Sequence, residues 1–318
     1  MRYIIYGAGA IGGTIGACLH EAGREVVLIA RGAHGQAIMA KGLRFGSPNG
    51  GWRVLQIPVV SQPGELIFKP DDVVVLSMKS QDTAVALEAL AMVAPQTIHI
   101  ACAQNGVENE RAALRRFPHV HGMCLRMPGV HLEPGVVHVH QAGNNGICDV
   151  GSYPKGVTDV DRAIAADLQA ANILSDALHD IMALKYAKLT LNVTNALEAA
   201  IGASAPETDL SQRARQEALE VFEAAGQRVS RKSDPRVTSR VLATVDGVPH
   251  AGNSSYQSLA RGARLEADYL NGEVVLLGRL LGIATPANAA LQALAMRLVK
   301  EHVPAGSLTI EKVEAGRP

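Results

Sequence analysis

Short, continuously apolar runs punctuate the first third of the chain. They occupy residues 2–7 (RYIIYG), 25–30 (EVVLIA), 72–78 (DVVVLSM) and 97–103 (TIHIACA). Each has strand length, and an unbroken apolar run is what a strand covered on both faces requires. Between them, residues 10–22, 34–41 and 82–93 carry helical spacing, the first stopping at Gly23, with irregular sequence after residue 41. Strands alternating with helices predict a parallel, doubly wound α/β sheet. After residue 118 the texture changes. Residues 122–153 alternate, with Gly, Pro and Asn breaks, and predict further strands and hairpins. From residue 158 the period is helical over 158–171, 180–201, 208–226, 236–245, 256–281 and 286–301. The expected architecture is an N-terminal Rossmann-type doubly wound sheet over 1–175, followed by an all-helical domain over 176–318. The tail from Pro304 lacks helical periodicity and is expected to be loosely held.

Composition narrows the function classes. A chain of 318 residues suits two cores, and with aromatics at 3% those cores must be aliphatic. Lys plus Arg and Asp plus Glu are equal at 30 each, so neither a basic excess nor stacking aromatics point to nucleic acid. The opening residues lack the features of a secretory signal, and no apolar run approaches the ~18 residues of a membrane span. Cys18, Cys102, Cys124 and Cys148 show no C-x-x-C spacing; reduced, buried thiols in a cytoplasmic protein are the expectation.

The first candidate for chemistry is Gly7-Ala8-Gly9-Ala10-Ile11-Gly12, a G-x-G-x-x-G that follows a strand and opens a helix. In that context the first glycine permits a tight turn and the second lets the backbone approach a pyrophosphate. The third lets helix and strand pack, and free amides at the helix start face the phosphates. A carboxylate some 20 residues on would select NAD. The second strand ends instead in Ala30-Arg31-Gly32, and Arg31 suits a 2′-phosphate, so NADP(H) is the expected cofactor. Lys79 ends the third strand and Asn105-Gly106 follows the fourth. Ligands of open α/β sheets lie outside the carboxyl ends of such strands.

The second candidate is the stretch KYAKLTLNVTNALEAAIG, residues 185–202. Lys188, Asn192 and Asn195 are spaced i, i+4, i+7 and share one face of a continuous helix. The other faces carry Leu189, Leu191, Val193 and Leu197, which predicts a helix buried nearly all round. A buried ammonium and two amides are costly unless something pairs with them. A polar ligand is the expected partner.

These motifs, with VVLIARG, LSMKSQD, AQNGVE, KLTLN, LEADYLNG and TPANAAL, resemble the ketopantoate reductases (2-dehydropantoate 2-reductases) over nearly the whole chain and in the family's order. The resemblance implies NADPH-dependent reduction of a 2-keto acid to a 2-hydroxy acid, in a cleft between a Rossmann domain and a helical domain. By position, Lys188 matches the catalytic lysine and Glu266 the glutamate of E-x-D-Y. Asn105 matches an asparagine near nicotinamide and substrate, and Asn192 a substrate-binding asparagine. Ser254 matches a substrate-binding serine on ungapped counting back from Glu266, with Ser255 beside it. Arg31 and Lys79 match residues at the 2′-phosphate end of NADPH. Three positions depart from the pattern. The second asparagine, Asn195, stands seven rather than eight after the lysine; Ser258 replaces an aspartate; Tyr186 replaces a tryptophan.

On this reading Lys188 is the general acid that stabilises and protonates the carbonyl oxygen. Burial draws a lysine's pKa from about 10.4 towards neutrality, which suits the task. The alternatives are a reductase of the same family acting on another 2-keto acid, and an NADP(H)-binding sensor without turnover. The helical surface of the second domain suits a homodimer. The pairs His119/His121 and His138/His140 sit at strand spacing without a carboxylate or cysteine pattern, and are read as ordinary strand residues rather than metal ligands.

Overall fold

The computed structural model describes residues 1–202, 207–248 and 252–315. In chain order the first elements are β1 (Arg2–Tyr6), α1 (Ala10–Glu21), β2 (Glu25–Ile29), α2 (Gly32–Lys41), β3 (Leu43–Ser47), β4 (Gly51–Leu55) and β5 (Val59–Val60). Then come β6 (Val73–Leu76), α3 (Thr83–Ala91), β7 (His99–Cys102), α4 (Asn109–Leu114), β8 (His119–Arg126), β9 (Gly129–Val130), β10 (Val136–Val139), β11 (Gln141–Ala142), β12 (Ile147–Ser152) and α5 (Asp159–Ala170). The remainder is α6 (Ile181–Asn192), α7 (Asn195–Ile201), α8 (Asp209–Ala224), α9 (Pro235–Thr238), β13 (Val241–Leu242), α10 (Ser254–Ala260), α11 (Asn271–Leu281), α12 (Pro286–Lys300) and α13 (Ile310–Ala315).

Two compact units form. The first comprises the described parts of 1–104, 109–182 and 232–250; the second comprises those of 105–108, 183–231 and 251–318. The first unit holds a seven-stranded sheet in the order β12-β8-β7-β6-β1-β2-β5. All neighbours are parallel except β12, which runs antiparallel to β8. The apolar runs are buried on both faces, as expected. Tyr3 and Ile5 of β1 join the core under α1 and α5, while Ile4 and Tyr6 join the core under α3. The irregular stretch after residue 41 contains strands that sequence periodicity did not reveal. β3 and β4 form an antiparallel hairpin that joins β10 and β9 in a second sheet, order β4-β3-β10-β9.

Three expected helices differ. Residues 236–245 are not one helix: α9 stops at Thr238, and Val241–Leu242 pairs antiparallel with β11. Residues 256–281 break after α10, where Gly262 takes φ +66° and the amides of Gly262 and Ala263 turn back to Leu259 and Ser258. That is a helix-ending motif that glycine favours. Residues 180–201 break at Val193–Thr194, so Asn195 opens a new helix instead of sharing one helical face with Lys188. The tail is also held: the amides of Gly306 and Leu308 donate to the carbonyls of Ala199 and Ala200, and α13 follows.

In the second unit α8, α11 and α12 pack on one another, and α7 packs on α10 and α12. The four cysteines are buried and none is in a disulfide. No helix among the described residues is long and apolar enough to cross a membrane.

Candidate functional site

The sheet register builds one edge of the site. Tyr6 pairs with Ile29 and with Leu76, and Leu76 pairs with Cys102, so Gly7, Ala30, Ser77 and Ala103 leave the sheet side by side. Gly7 takes φ +104°, and a side chain there would meet the Met78 amide nitrogen at 2.7 Å. A methyl group at Gly12 would overlap the Gly7 carbonyl oxygen and Ser77 Oγ. Gly9 differs: the nearest atom to a methyl group there is His131 Cδ2, at 3.9 Å. Gly9 also caps α1 with no side-chain hydrogen bond, and the first turn carries no acidic residue. The loop therefore offers open space and helix-start amides that no side chain caps, which fits a pyrophosphate. The 7–12 loop, from Gly7 and Ala8 to Ile11 and Gly12, is thus a cradle in shape as well as in sequence.

Arg31 caps α2 at the same edge and is exposed. Its side chain has no ion pair or hydrogen bond among the described residues, and its positive charge reaches the Tyr6 hydroxyl. Burial raises the Tyr6 pKa, and Arg31 opposes that rise. Lys79 is half-buried and precedes the short 3₁₀ turn Ser80–Asp82.

Two histidines lie against this loop that sequence reasoning did not single out. His34 Nε2 is 2.8 Å from the Ala8 carbonyl oxygen, and its Nδ1 accepts from the Gly135 amide at 2.9 Å. Its ring centroid lies 4.1 Å from that of His131. Contacts spanning about a hundred residues leave no periodic signal to read. Of the strand histidines, His121 joins Asp161 at 2.7 Å through Nδ1 and His99 at 3.0 Å through Nε2. His138 lies beside Trp52 and His140. Among the described residues no group of three or more His, Cys, Asp or Glu is arranged to hold a metal ion.

The second unit carries the other candidates. Lys188 and Asn192 stand one turn apart at the end of α6, both half-buried. Asn192 Oδ1 is buried with no hydrogen-bond partner among the described residues, an acceptor that needs a donor. The helix is not buried all round: Leu189 and Val193 are fully buried and Leu197 nearly so, but Leu191 is 54% exposed.

Asn195 begins α7, and its carbonyl accepts from Asn253 Nδ2 at 3.3 Å. Asn253 caps α10 through the Tyr256 amide, and its own amide donates to Glu198 at 2.6 Å. Burial raises the Glu198 pKa, while those Asn253 bonds pull it back. Ser254 and the buried Ser255, in the first turn of α10, are thereby tied to α7. Glu266 precedes the 3₁₀ turn Ala267–Tyr269, and its carbonyl accepts from the Tyr269 and Leu270 amides. Asn105 belongs to the short 105–108 segment of this unit. A side chain at its neighbour Gly106 would meet the Tyr269 carbonyl at 2.9 Å, so Gly106 packs closely on the Tyr269 backbone.

Comparison with known proteins matches both parts of the chain. Residues 3–155 match the family model "Ketopantoate reductase PanE/ApbA" and residues 180–299 match "Ketopantoate reductase PanE/ApbA C terminal". The chain is 30% identical to a 2-dehydropantoate 2-reductase of Pyrococcus horikoshii, over 96% of this chain and 100% of that one. It resembles the crystal structure of a PanE/ApbA family ketopantoate reductase from Ralstonia eutropha JMP134 at 28% identity and TM-score 0.79, covering 95% and 99% of the two chains. A D-mandelate dehydrogenase solved with NADH and anilino(oxo)acetate shares the fold, with TM-score 0.80 at 22% identity over 95% of this chain and 99% of that one.

Proposed function

This chain belongs to the ketopantoate reductase family, oxidoreductases that act on CH–OH groups, and we propose that it reduces 2-dehydropantoate to pantoate with NADPH. The observation that carries this reading is Asn192 Oδ1, buried and without a partner among the described residues, one turn beyond Lys188 in the family's K-L-x-x-N motif. An acceptor in that state suits a substrate hydroxyl beside a proton-donating ammonium.

Each residue has a role. The Gly7–Gly12 loop holds the pyrophosphate, with Arg31 and Lys79 at the 2′-phosphate. Bound there, the nicotinamide supplies the hydride. Lys188 stabilises the oxygen that becomes an alkoxide and gives it a proton. Asn192 accepts the substrate hydroxyl, and Asn105 orients the lysine or the keto acid. Ser254, with Ser255 beside it, binds the carboxylate. Glu266 hydrogen-bonds the substrate hydroxyl or tunes Lys188, and Asn195 supports the substrate from the start of α7. The second reading is another 2-keto acid. It is favoured by Ser258, which stands in place of the aspartate of the family pattern, and by the likeness in fold to a D-mandelate dehydrogenase.

The test is NADPH oxidation at 340 nm with 2-dehydropantoate beside a panel of other 2-keto acids, for wild type and Lys188→Ala. Preferred turnover of 2-dehydropantoate is the expected result. Lys188→Ala should lower kcat by ~10²–10⁴ with NADPH still bound. Turnover that prefers another keto acid would move the substrate assignment, and a Lys188→Ala variant of normal kcat would remove the proton donor.

A further inference from the structure

The break between α6 and α7 has a builder. In an unbroken helix the Val193 carbonyl would accept the Leu197 amide. Here the Leu197 amide donates to Thr194, at 3.0 Å. The Val193 carbonyl instead accepts Asn271 Nδ2 at 2.8 Å, in a buried contact. Asn271 is 2% exposed, and its second N–H reaches Asn288 Oδ1 at 3.1 Å.

Asn288 is fully buried and equally committed. Its Nδ2 donates to the Ala214 carbonyl and to Glu217 Oε2, each at 2.9 Å. Glu217 also accepts the Ala287 and Asn288 amides at 2.8 and 2.9 Å, capping α12 from α8. Both amide orientations follow from these partners. Only a nitrogen can face the Val193 carbonyl, and only a nitrogen can face the Glu217 carboxylate, which leaves Asn288 Oδ1 to accept from Asn271.

We infer that Asn271 is a positioning residue: the Glu217–Asn288–Asn271 chain clamps the Val193 carbonyl and so fixes the last turn of α6, which carries Lys188 and Asn192. The inference rests on the catalytic reading of those two residues. Asn271 itself touches backbone, and its effect on chemistry passes through the α6 terminus. The clamp also gives a task to Asn271 of LEADYLNG, beside the role already proposed for Glu266, and to Asn288 of TPANAAL, a motif that otherwise has none.

The experiment compares wild type, Lys188→Ala, Asn271→Ala, Asn288→Ala and Glu217→Gln. It measures kcat and KM for the preferred keto acid, NADPH affinity by fluorescence, and Tm. Asn271→Ala should lower kcat about 10- to 100-fold, the scale of a small misplacement of reacting groups, with NADPH affinity unchanged within about twofold. Asn288→Ala leaves the Val193 bond but removes the acceptor that orients Asn271, so it should fall between. It carries the test alone where Asn271→Ala does not fold. Glu217→Gln should cost more Tm than Asn271→Ala and less kcat. A merely structural network would instead make kcat follow Tm across the three variants, and that result overturns the inference. If Lys188→Ala is disabled while folded Asn271→Ala turns over normally, the clamp is rejected and the site reading stands. If Lys188→Ala is also normal, both fall.

Discussion

His34 holds the carbonyl of Ala8 with Nε2 while its Nδ1 accepts the Gly135 amide, so one tautomer serves both bonds. The ring must be neutral with the proton on Nε2, because protonating Nδ1 would set two donors against each other. Burial lowers the His34 pKa below its ordinary 6.5, with the Ala8 bond opposing. The sign follows. A depressed histidine contributes its full stability above about 6.5 and loses it as pH falls through the lowered folded value. Comparing Tm of wild type and His34→Gln from pH 8 to pH 4.5 should show wild type losing its advantage on acidification. A difference that is flat with pH would contradict the single-tautomer latch.

The glycines of the 7–12 loop should separate folding from the proposed phosphate binding. Gly12→Ala places a methyl group onto the Gly7 carbonyl and Ser77 Oγ, so it should lower Tm sharply. Gly9→Ala meets nothing nearer than 3.9 Å and should fold normally. Its methyl occupies the space a pyrophosphate needs, and NADPH affinity should fall at least about tenfold. Calorimetry for Tm and fluorescence titration for binding check both; a Gly9→Ala variant that binds NADPH normally would move the phosphates elsewhere.

The proposed place of Arg31 at the 2′-phosphate makes cofactor choice its readout. A charge-assisted bond to a 2′-phosphate contributes ~1.5–3 kcal/mol, or about tenfold to a hundredfold in affinity. Arg31→Ala should therefore weaken NADPH by that factor and leave NADH nearly unchanged. Equal losses for both would take the 2′-phosphate away from Arg31.

What the sequence made legible was the part governed by local spacing. The four apolar runs became buried parallel strands because such strands need no alternation, and Gly7–Gly12 announced its turn through residues that only that turn requires. The α6–α7 break was hidden because KLTLNVTNALEAA keeps helical spacing throughout, although Asn192-Val193-Thr194-Asn195, where the break falls, is a run of weak helix formers. A side chain 78 positions away, that of Asn271, bonds the Val193 carbonyl, while the Leu197 amide turns to Thr194. The same holds for β13, whose partner is Gln141–Ala142, and for the tail, whose amides are held by α7. The His34 latch is equally nonlocal. In each case a distant partner completes the local structure, and local spacing carries no sign of that partner.

The segment that returns from the second unit to the first carries a consequence for dissecting the protein. Arg236 places Nη1 at 3.0 Å and Nη2 at 2.8 Å from the fully buried carboxylate of Asp149, and also pairs with Asp176 and Asp234. Burial raises the Asp149 pKa and Arg236 opposes the rise. Removing one partner of a buried pair typically costs about 3–5 kcal/mol. A fragment ending near residue 182 would keep the whole nucleotide sheet yet strand Asp149 without its counterion. Gene fusions or split versions that cut the chain once would thus begin with a defective half, and a working excision must carry residues 232–248 along with the sheet.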